Sequence, residues 1–359
     1  MSLRILWSAD YELYLGENFL PEAQVLLEPT SALLDTCEQL GIPLCLFADV
    51  ACLWRYRQTG ESAFPDAAEE QLRDAVRRGH DVQAHAHPHW QHARREEGRW
   101  SAPLDSFLVG VLEDARPLLA SIRDHLNRLL RPVDPDYDCV AFRAGNYGLQ
   151  PRIEHVFAAL RETGYRLDSS VVPNLVLRNA VNRIDFRGYP ERDTMLHGLY
   201  EVPIATARFG LFDAVLRRLR RPTRGRPRGR TIHSSAHQRP TLRSRLFRLD
   251  ILELGKDPRR LTAITERYLR RVGTDVAFSF SCHPKGVGHR ELDALREYHD
   301  WLKRSYDVES VRIQELLRPE LDIQRAPELE PGVQLAAPMA LEASAHGSRI
   351  DESSRSKAR

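Results

Sequence analysis

The chain has 359 residues, a formal net charge of +2 and 42% hydrophobic residues. That is enough apolar material for one large domain, or two small ones, with a real core, and the near-neutral balance gives no reason to expect a nucleic-acid partner. Five cysteines (Cys37, Cys45, Cys52, Cys139 and Cys282) are odd in number and form no CxxC pair, which argues against a disulfide framework and for a reducing compartment.

The opening MSLRILWSAD reaches Asp10 after a short apolar run. That run is too short for a secretory signal or a membrane span, and no later stretch reaches about 18 apolar residues. The expectation is a cytoplasmic protein. In chain order, candidate strands are LRILWSAD (3–10), PLCLFADV (43–50), DVQAHAH (81–87), CVAFRAG (139–145), RLDSSVV (166–172), LYEVPI (199–204) and DVAFSFSCHP (275–284). Amphipathic helical stretches lie between them. TSALLDTCEQLG and AAEEQLRDAVRRG close on Gly41 and Gly79, which read as C-caps, and RIEHVFAALRETG covers 152–164. Strand–helix repetition with apolar strands implies a parallel sheet covered on both faces, either a barrel or a doubly wound sheet. Asp10, Asp49, His85, Arg143, Asp168 and His283 fall at strand ends, where parallel α/β folds build their sites.

Two segments interrupt the alternation. RRLRRPTRGRPRGR (217–230) carries eight arginines and no acid, so about 205–250 reads as an insertion. Its charge suits peripheral contact with an anionic membrane. From about 320 the chain becomes Pro-, Ala-, Glu- and Ser-rich, and 321–359 reads as a disordered tail.

In GHDVQAHAHPHW (79–90), His85, His87 and His89 recur at every second position. A continuing strand would point all three to one face and pair His85 with His87. A chain that coils after His85 would pair it with His89, and Pro88 favours that ending. Imidazole ligands suit zinc and also other divalent transition metals. Asp10 and Glu12, two positions apart, offer a metal carboxylate and a base. Arg143 in FRAGNYG can hold a carboxylate ionised, and the turn that follows can face an oxyanion. His283, before a proline, can act as a general acid.

Taken in order, these segments resemble the polysaccharide deacetylase (NodB-homology) family, carbohydrate esterase family 4 in the broad sense, over about residues 3–317. SAD is similar to that family's first motif and implies Asp10 as catalytic base. GHDVQAHAHPHW is similar to its second motif and implies His85 and His89 as metal ligands, with Glu12 as the metal carboxylate. FRAGNYG resembles the third, implying Arg143 as support for the base and the Tyr147 N–H as oxyanion donor. FSFSCHP resembles the last, implying His283 as general acid. Two departures are visible. Tyr11 follows Asp10 where the family has a second aspartate, and the fourth motif, with its Asp and Trp, is not evident.

The resemblance implies a distorted (β/α)7 barrel over 1–320, usually zinc-bound, that removes an N-acetyl group from an amino sugar or glycan intermediate. Asn146, Trp90 and Asp168 are expected to line the substrate. The rival readings are a hydrolase of another non-peptide C–N bond on the same barrel, and a catalytically silent carbohydrate-binding relative. The oligomeric state is left open.

Overall fold

The computed structural model describes residues 2–14, 20–96, 99–179, 181–210 and 248–317. The arginine run 217–230 and the tail 321–359 lie outside the described residues. Seven parallel strands form the frame: β1 (Leu3–Tyr11), β2 (Cys45–Asp49), β3 (Asp81–Ala86), β4 (Ala141–Ala144), β5 (Leu167–Asp168), β6 (Leu199–Glu201) and β7 (Val276–Phe280). They pair in the order β6-β5-β4-β3-β2-β1-β7. Just past β6, Ile204 bridges Ser279 of β7 in parallel. Ser279 N donates to Pro203 O at 2.9 Å and Ala205 N to Ser279 O at 3.3 Å. The sheet therefore closes on itself as a distorted seven-stranded α/β barrel.

Two extra strands mark the distortion. Val308–Ser310 runs parallel to the first residues of β1, which turns to β2 only from Ser8 onward. Thr194–Leu196 pairs antiparallel with β6. The expected insertion leaves and re-enters through an antiparallel hairpin, Thr206–Phe209 against Arg248–Ile251.

The strands carry no simple alternation because both faces are covered: all five residues of β2 and all five of β7 are buried. Among the described residues seven helices of nine or more residues supply the outer cover: α1 (Glu28–Leu40), α2 (Val50–Gln58), α3 (Ala63–Arg77), α4 (Arg116–Leu130), α5 (Ile153–Glu162), α6 (Pro258–Val272) and α7 (His289–Ser305). Each faces the sheet with an apolar stripe; in α4 it is Leu118, Leu119, Ile122, Leu126, Leu129 and Leu130. α6 starts cleanly because the Asp257 side chain accepts from Arg260 N at 3.0 Å and Pro258 needs no donor. Among the described residues no helix is long and apolar enough to cross a membrane.

One close approach sets the loop behind the site. Gly110 N donates to Gly148 O at 2.7 Å. A Cβ on Gly110 would stand 2.3 Å from Leu149 O and 2.4 Å from Gln150 O, both backbone. Gly110→Ala should lower unfolding stability by about 1–3 kcal/mol, the range for overpacking. Gly286→Ala, where nothing lies within 4 Å of the added carbon, should leave it unchanged. Paired urea titrations check this; equal midpoints for the two variants would refute the packing argument.

Candidate active site

The side chains singled out in the sequence meet at the carboxyl end of the barrel. Period-two alternation along β1 sends Ser8 and Asp10, and Glu12 just beyond the strand, inward. Below them the interior is polar. Ser8 Oγ lies 2.9 Å from Ser279 Oγ and donates to Phe280 O at 2.8 Å.

Arg143, fully buried at 0% exposure, fills the centre. Its Nη1 donates to Asp10 Oδ1 at 2.7 Å and its Nε to Ser169 O at 2.9 Å. Its Nη2 donates to Ser279 Oγ at 2.8 Å and Ser169 Oγ at 3.0 Å. The guanidinium also sits 4.2 Å above the Phe47 ring. Burial alone would raise the Asp10 pKa, but Arg143 first, then His85 and His283, hold it below the ordinary aspartate value. Asp10 is therefore an ionised carboxylate with one oxygen, Oδ1, committed to Arg143.

The histidine cluster resolves in favour of the continuing strand. β3 runs to Ala86, and His87 stays extended (φ −115°, ψ 94°) before Pro88 opens a short 3-10 turn, Pro88–Gln91. His85 and His87 thus share a face, their Nε2 atoms 3.1 Å apart. Glu12 Oε2 lies 3.4 Å from His85 Nε2 and also touches His87 Nε2. These three side chains form one group with ligand atoms all within 4.8 Å of each other, and Asp10, Glu12 and His283 form a second. His89, expected to pair with His85, is in neither group. It follows the turn and stacks on Phe107 at 4.4 Å and 11°. Burial pushes its pKa down to about 2, so it is a neutral ring.

Gly145 is required by this arrangement. A Cβ there would stand 2.4 Å from the His87 ring and 2.7 Å from Ala86 O. The turn it opens carries two successive left-handed residues, Asn146 (φ 54°) and Tyr147 (φ 56°), a strained geometry typical of functional sites. Burial, then the nearby Glu253 and Asp10 carboxylates, push the Tyr147 phenol well up.

Two side chains that touch this cluster lie outside the sequence reading. Glu253, directly after the insertion hairpin, has its Oε1 3.0 Å from His283 Nδ1. His283 Nε2 faces Asp10 Oδ2 at 3.4 Å and Glu12 Oε1 at 3.5 Å. Burial would lower the His283 pKa, but Glu253 and Asp10 outweigh it and raise it. Lys285, two residues on, donates to Glu12 Oε1 at 2.8 Å and to Leu13 O at 3.1 Å. The HPK spacing is the one signal that could have marked it. Nothing in ILELG marked Glu253, because its partner is 30 residues away.

Two residues expected to line the substrate are instead buried. Trp90 is 2% exposed, donates to Asp49 Oδ2 at 2.8 Å and packs on Trp100 and Tyr56. Asp168, at 0%, accepts from Ser170 N at 2.9 Å and Ser170 Oγ at 2.7 Å. Ser170 Oγ in turn accepts from Ala144 N at 2.8 Å. Both therefore act as supports: Trp90 under the histidine turn, Asp168 under the Ser169 shelf that carries Arg143. Asn146 remains half-buried in its turn.

No family model matches the chain, and no curated protein matches it. Solved structures do. A protein assigned as a polysaccharide deacetylase from Mycobacterium smegmatis shares 15% identity, covering 90% of this chain and 91% of that one, with a TM-score of 0.47. A 4-alpha-glucanotransferase from Thermococcus litoralis shares 14%, covering 88% of this chain and 40% of that one, with a TM-score of 0.44. PuuE allantoinase shares 12%, covering 87% and 88%, with a TM-score of 0.41.

Beside the Ser169 shelf, Glu201 is also fully buried, accepting from Val171 N at 3.1 Å. Burial first, then the adjacent Asp168 carboxyl, raise its pKa well above the ordinary value. A carboxyl raised in the native state keeps a proton that the unfolded chain has lost, so stability falls as pH climbs from the unfolded towards the folded value. Glu201→Gln removes that loss. The melting temperature of Glu201→Gln minus that of the wild type should therefore grow more positive from about pH 5 upward. A difference that does not change with pH would show that the pair does not hold the proton.

Proposed function

We propose that the chain is a metal-dependent hydrolase that removes an N-acetyl group from an amino sugar or glycan intermediate. One observation carries this reading. A carboxylate and two imidazoles converge at the barrel mouth beside a second carboxylate held by a buried arginine and a histidine held by its own acid.

The donor set suits a divalent transition metal such as zinc. Glu12, His85 and His87 would hold it. Tetrahedral ligands at about 2.0–2.1 Å stand roughly 3.3 Å apart; two of the three separations, 3.1 Å and 3.4 Å, are of that size, while Glu12 Oε2 and His87 Nε2 stand closer and would have to part around an ion. The Nε2 atoms of His85 and His87 face Glu12 and each other; the buried Nδ1 atoms of His85, His87 and His89 have no hydrogen-bond partner among the described residues. This set replaces His89 with His87. Such an ion, when bound, polarises an amide carbonyl and acidifies water.

The protein supplies the rest. Asp10 Oδ2, the oxygen not taken by Arg143, accepts the proton of the attacking water. Arg143 keeps Asp10 ionised and aimed. The Gly145–Tyr147 turn presents the Tyr147 N–H to the tetrahedral oxyanion. His283 Nε2 protonates the departing amine as the C–N bond breaks, giving acetate and the free amino sugar. Glu253 on Nδ1 stabilises the imidazolium needed for that step.

Metal content and acetate release test the assignment together. His85→Ala and His87→Ala should each lose zinc on dialysis, while His89→Ala keeps it. Loss in His89→Ala with retention in His87→Ala would restore the alternative pair. Asp10→Asn should keep its zinc and fall about 10²–10⁴-fold in kcat, the span of a lost general base. Zinc binding without acetate release from any acetylated amino sugar, but with turnover of another amide or ureide, would move the reaction to a different C–N bond.

A further inference from the structure

The chemistry above gives no task to Lys285, although its ammonium stands at the barrel mouth. Lys285 lies in the short turn after β7, Pro284–Gly286, two residues past His283. Its side chain is 12% exposed and that of Glu12 7%, so the ion pair they form is largely out of water.

The exit of β1 grips this residue at both ends. Its Nζ donates to Glu12 Oε1 at 2.8 Å and to Leu13 O at 3.1 Å, and stands 5.1 Å from the centre of the Tyr14 ring. Its carbonyl accepts from the Tyr14 hydroxyl at 2.7 Å. The turn is closed by Gly286 N on His283 O at 2.9 Å and Val287 N on Pro284 O at 2.8 Å. The ammonium is therefore held in place, unlike the flexible surface lysines whose ion pairs contribute little.

The two oxygens of Glu12 consequently differ in surroundings. Oε2 faces His85 Nε2 at 3.4 Å and touches His87 Nε2. Oε1 faces Lys285 at 2.8 Å and His283 Nε2 at 3.5 Å. Three carboxylates of the mouth each have a basic partner: Arg143 for Asp10, His283 for Glu253 and Lys285 for Glu12. Pairing alone does not account for Lys285. An ammonium beside a ligand carboxylate repels a dication, and it occupies an oxygen that could otherwise bind the ion. A site built for affinity alone would leave both oxygens free. A catalytic site differs from a structural one in keeping a coordination place open.

We propose that Lys285 is a positioning residue that restricts Glu12 to a single ligand oxygen. With Oε1 committed to the ammonium, Glu12 offers an ion only Oε2, and the place a second oxygen would fill stays open. The inference rests on Glu12, His85 and His87 as the ligand set. A lysine that merely latched the turn to β1 would act in the opposite sense: its removal would loosen Glu12 and weaken metal binding.

The test uses the full chain and a Lys285→Met variant, each stripped with a chelator, titrated with zinc against a chromophoric competitor, and separately reconstituted with cobalt. Loss of the ammonium should tighten zinc binding roughly tenfold or more, as expected for removing a unit charge a few ångströms from a dication. The visible bands of the cobalt form should weaken, as they do when a further ligand joins a tetrahedral ion. Without metal the variant should melt below the wild type, because Glu12 is left buried and unpaired, and zinc should raise its melting temperature by more. Lys285→Gln keeps a polar end in the half-buried turn; it should show the same changes and carries the test if the methionine variant does not fold. Zinc binding that is weaker or unchanged in the variants, or cobalt bands that keep their wild-type intensity, overturns the proposal. A wild type that binds neither ion overturns the ligand set itself, so the two failures are told apart.

Discussion

The buried ion pair between Arg143 and Asp10 is the contact on which the rest depends. Burying two charges costs several kcal/mol per ion unless geometry and further hydrogen bonds compensate. Here they do. The guanidinium makes four hydrogen bonds to Asp10, Ser169 and Ser279 and lies over Phe47. Those partners belong to β1, the end of β5, β7 and β2, so a single side chain from β4 is tied across the ring. The serines of the barrel interior follow from this. A centre filled with leucine would leave the guanidinium's donors unpaired, and a bare arginine would leave Asp10 with its desolvation uncompensated.

From that centre the site is built outward in layers. The strand period of β1 places Asp10 one step and Glu12 two steps above Ser8, and each level meets a different charge. Asp10 meets Arg143; Glu12 meets the two imidazoles and Lys285. The two carboxylates are therefore unlike in environment although they are almost adjacent in sequence. Burial raises the pKa of Glu12, but Lys285 and His87 outweigh it and hold it well below the ordinary value, so both acids remain charged side by side. Such separation of roles among similar groups is what acid–base chemistry needs.

All seven barrel strands were legible in the sequence, because a parallel strand covered on both faces leaves a short apolar run ending in a polar residue. The strand pattern alone left a barrel and an open sheet both open, and it was the family resemblance that implied the barrel. Its closure turns on one bridge, Ile204 to Ser279, which no local pattern encodes. The histidine spacing left two pairings open; Pro88 favoured His89, whereas its own predecessor, His87, stays extended and shares a face with His85. Trp90 and Asp168 show the converse limit. Their types suit a substrate surface, and only tertiary packing reveals that each is spent on a buried hydrogen bond. Glu253 was hidden for the same reason: its partner, His283, comes from a segment far along the chain.

The insertion hairpin departs at the seam where the ring closes, and its returning strand delivers Glu253 to His283. Among the described residues the hairpin strands Thr206–Phe209 and Arg248–Ile251 pair only with each other. The register of Arg248–Ile251 matters to the site. Successive residues of a strand face opposite sides, so a slip of one position against Thr206–Phe209 would turn Glu253 away from the histidine it orients. The seam is thus strict about the phase in which the returning strand meets its partner.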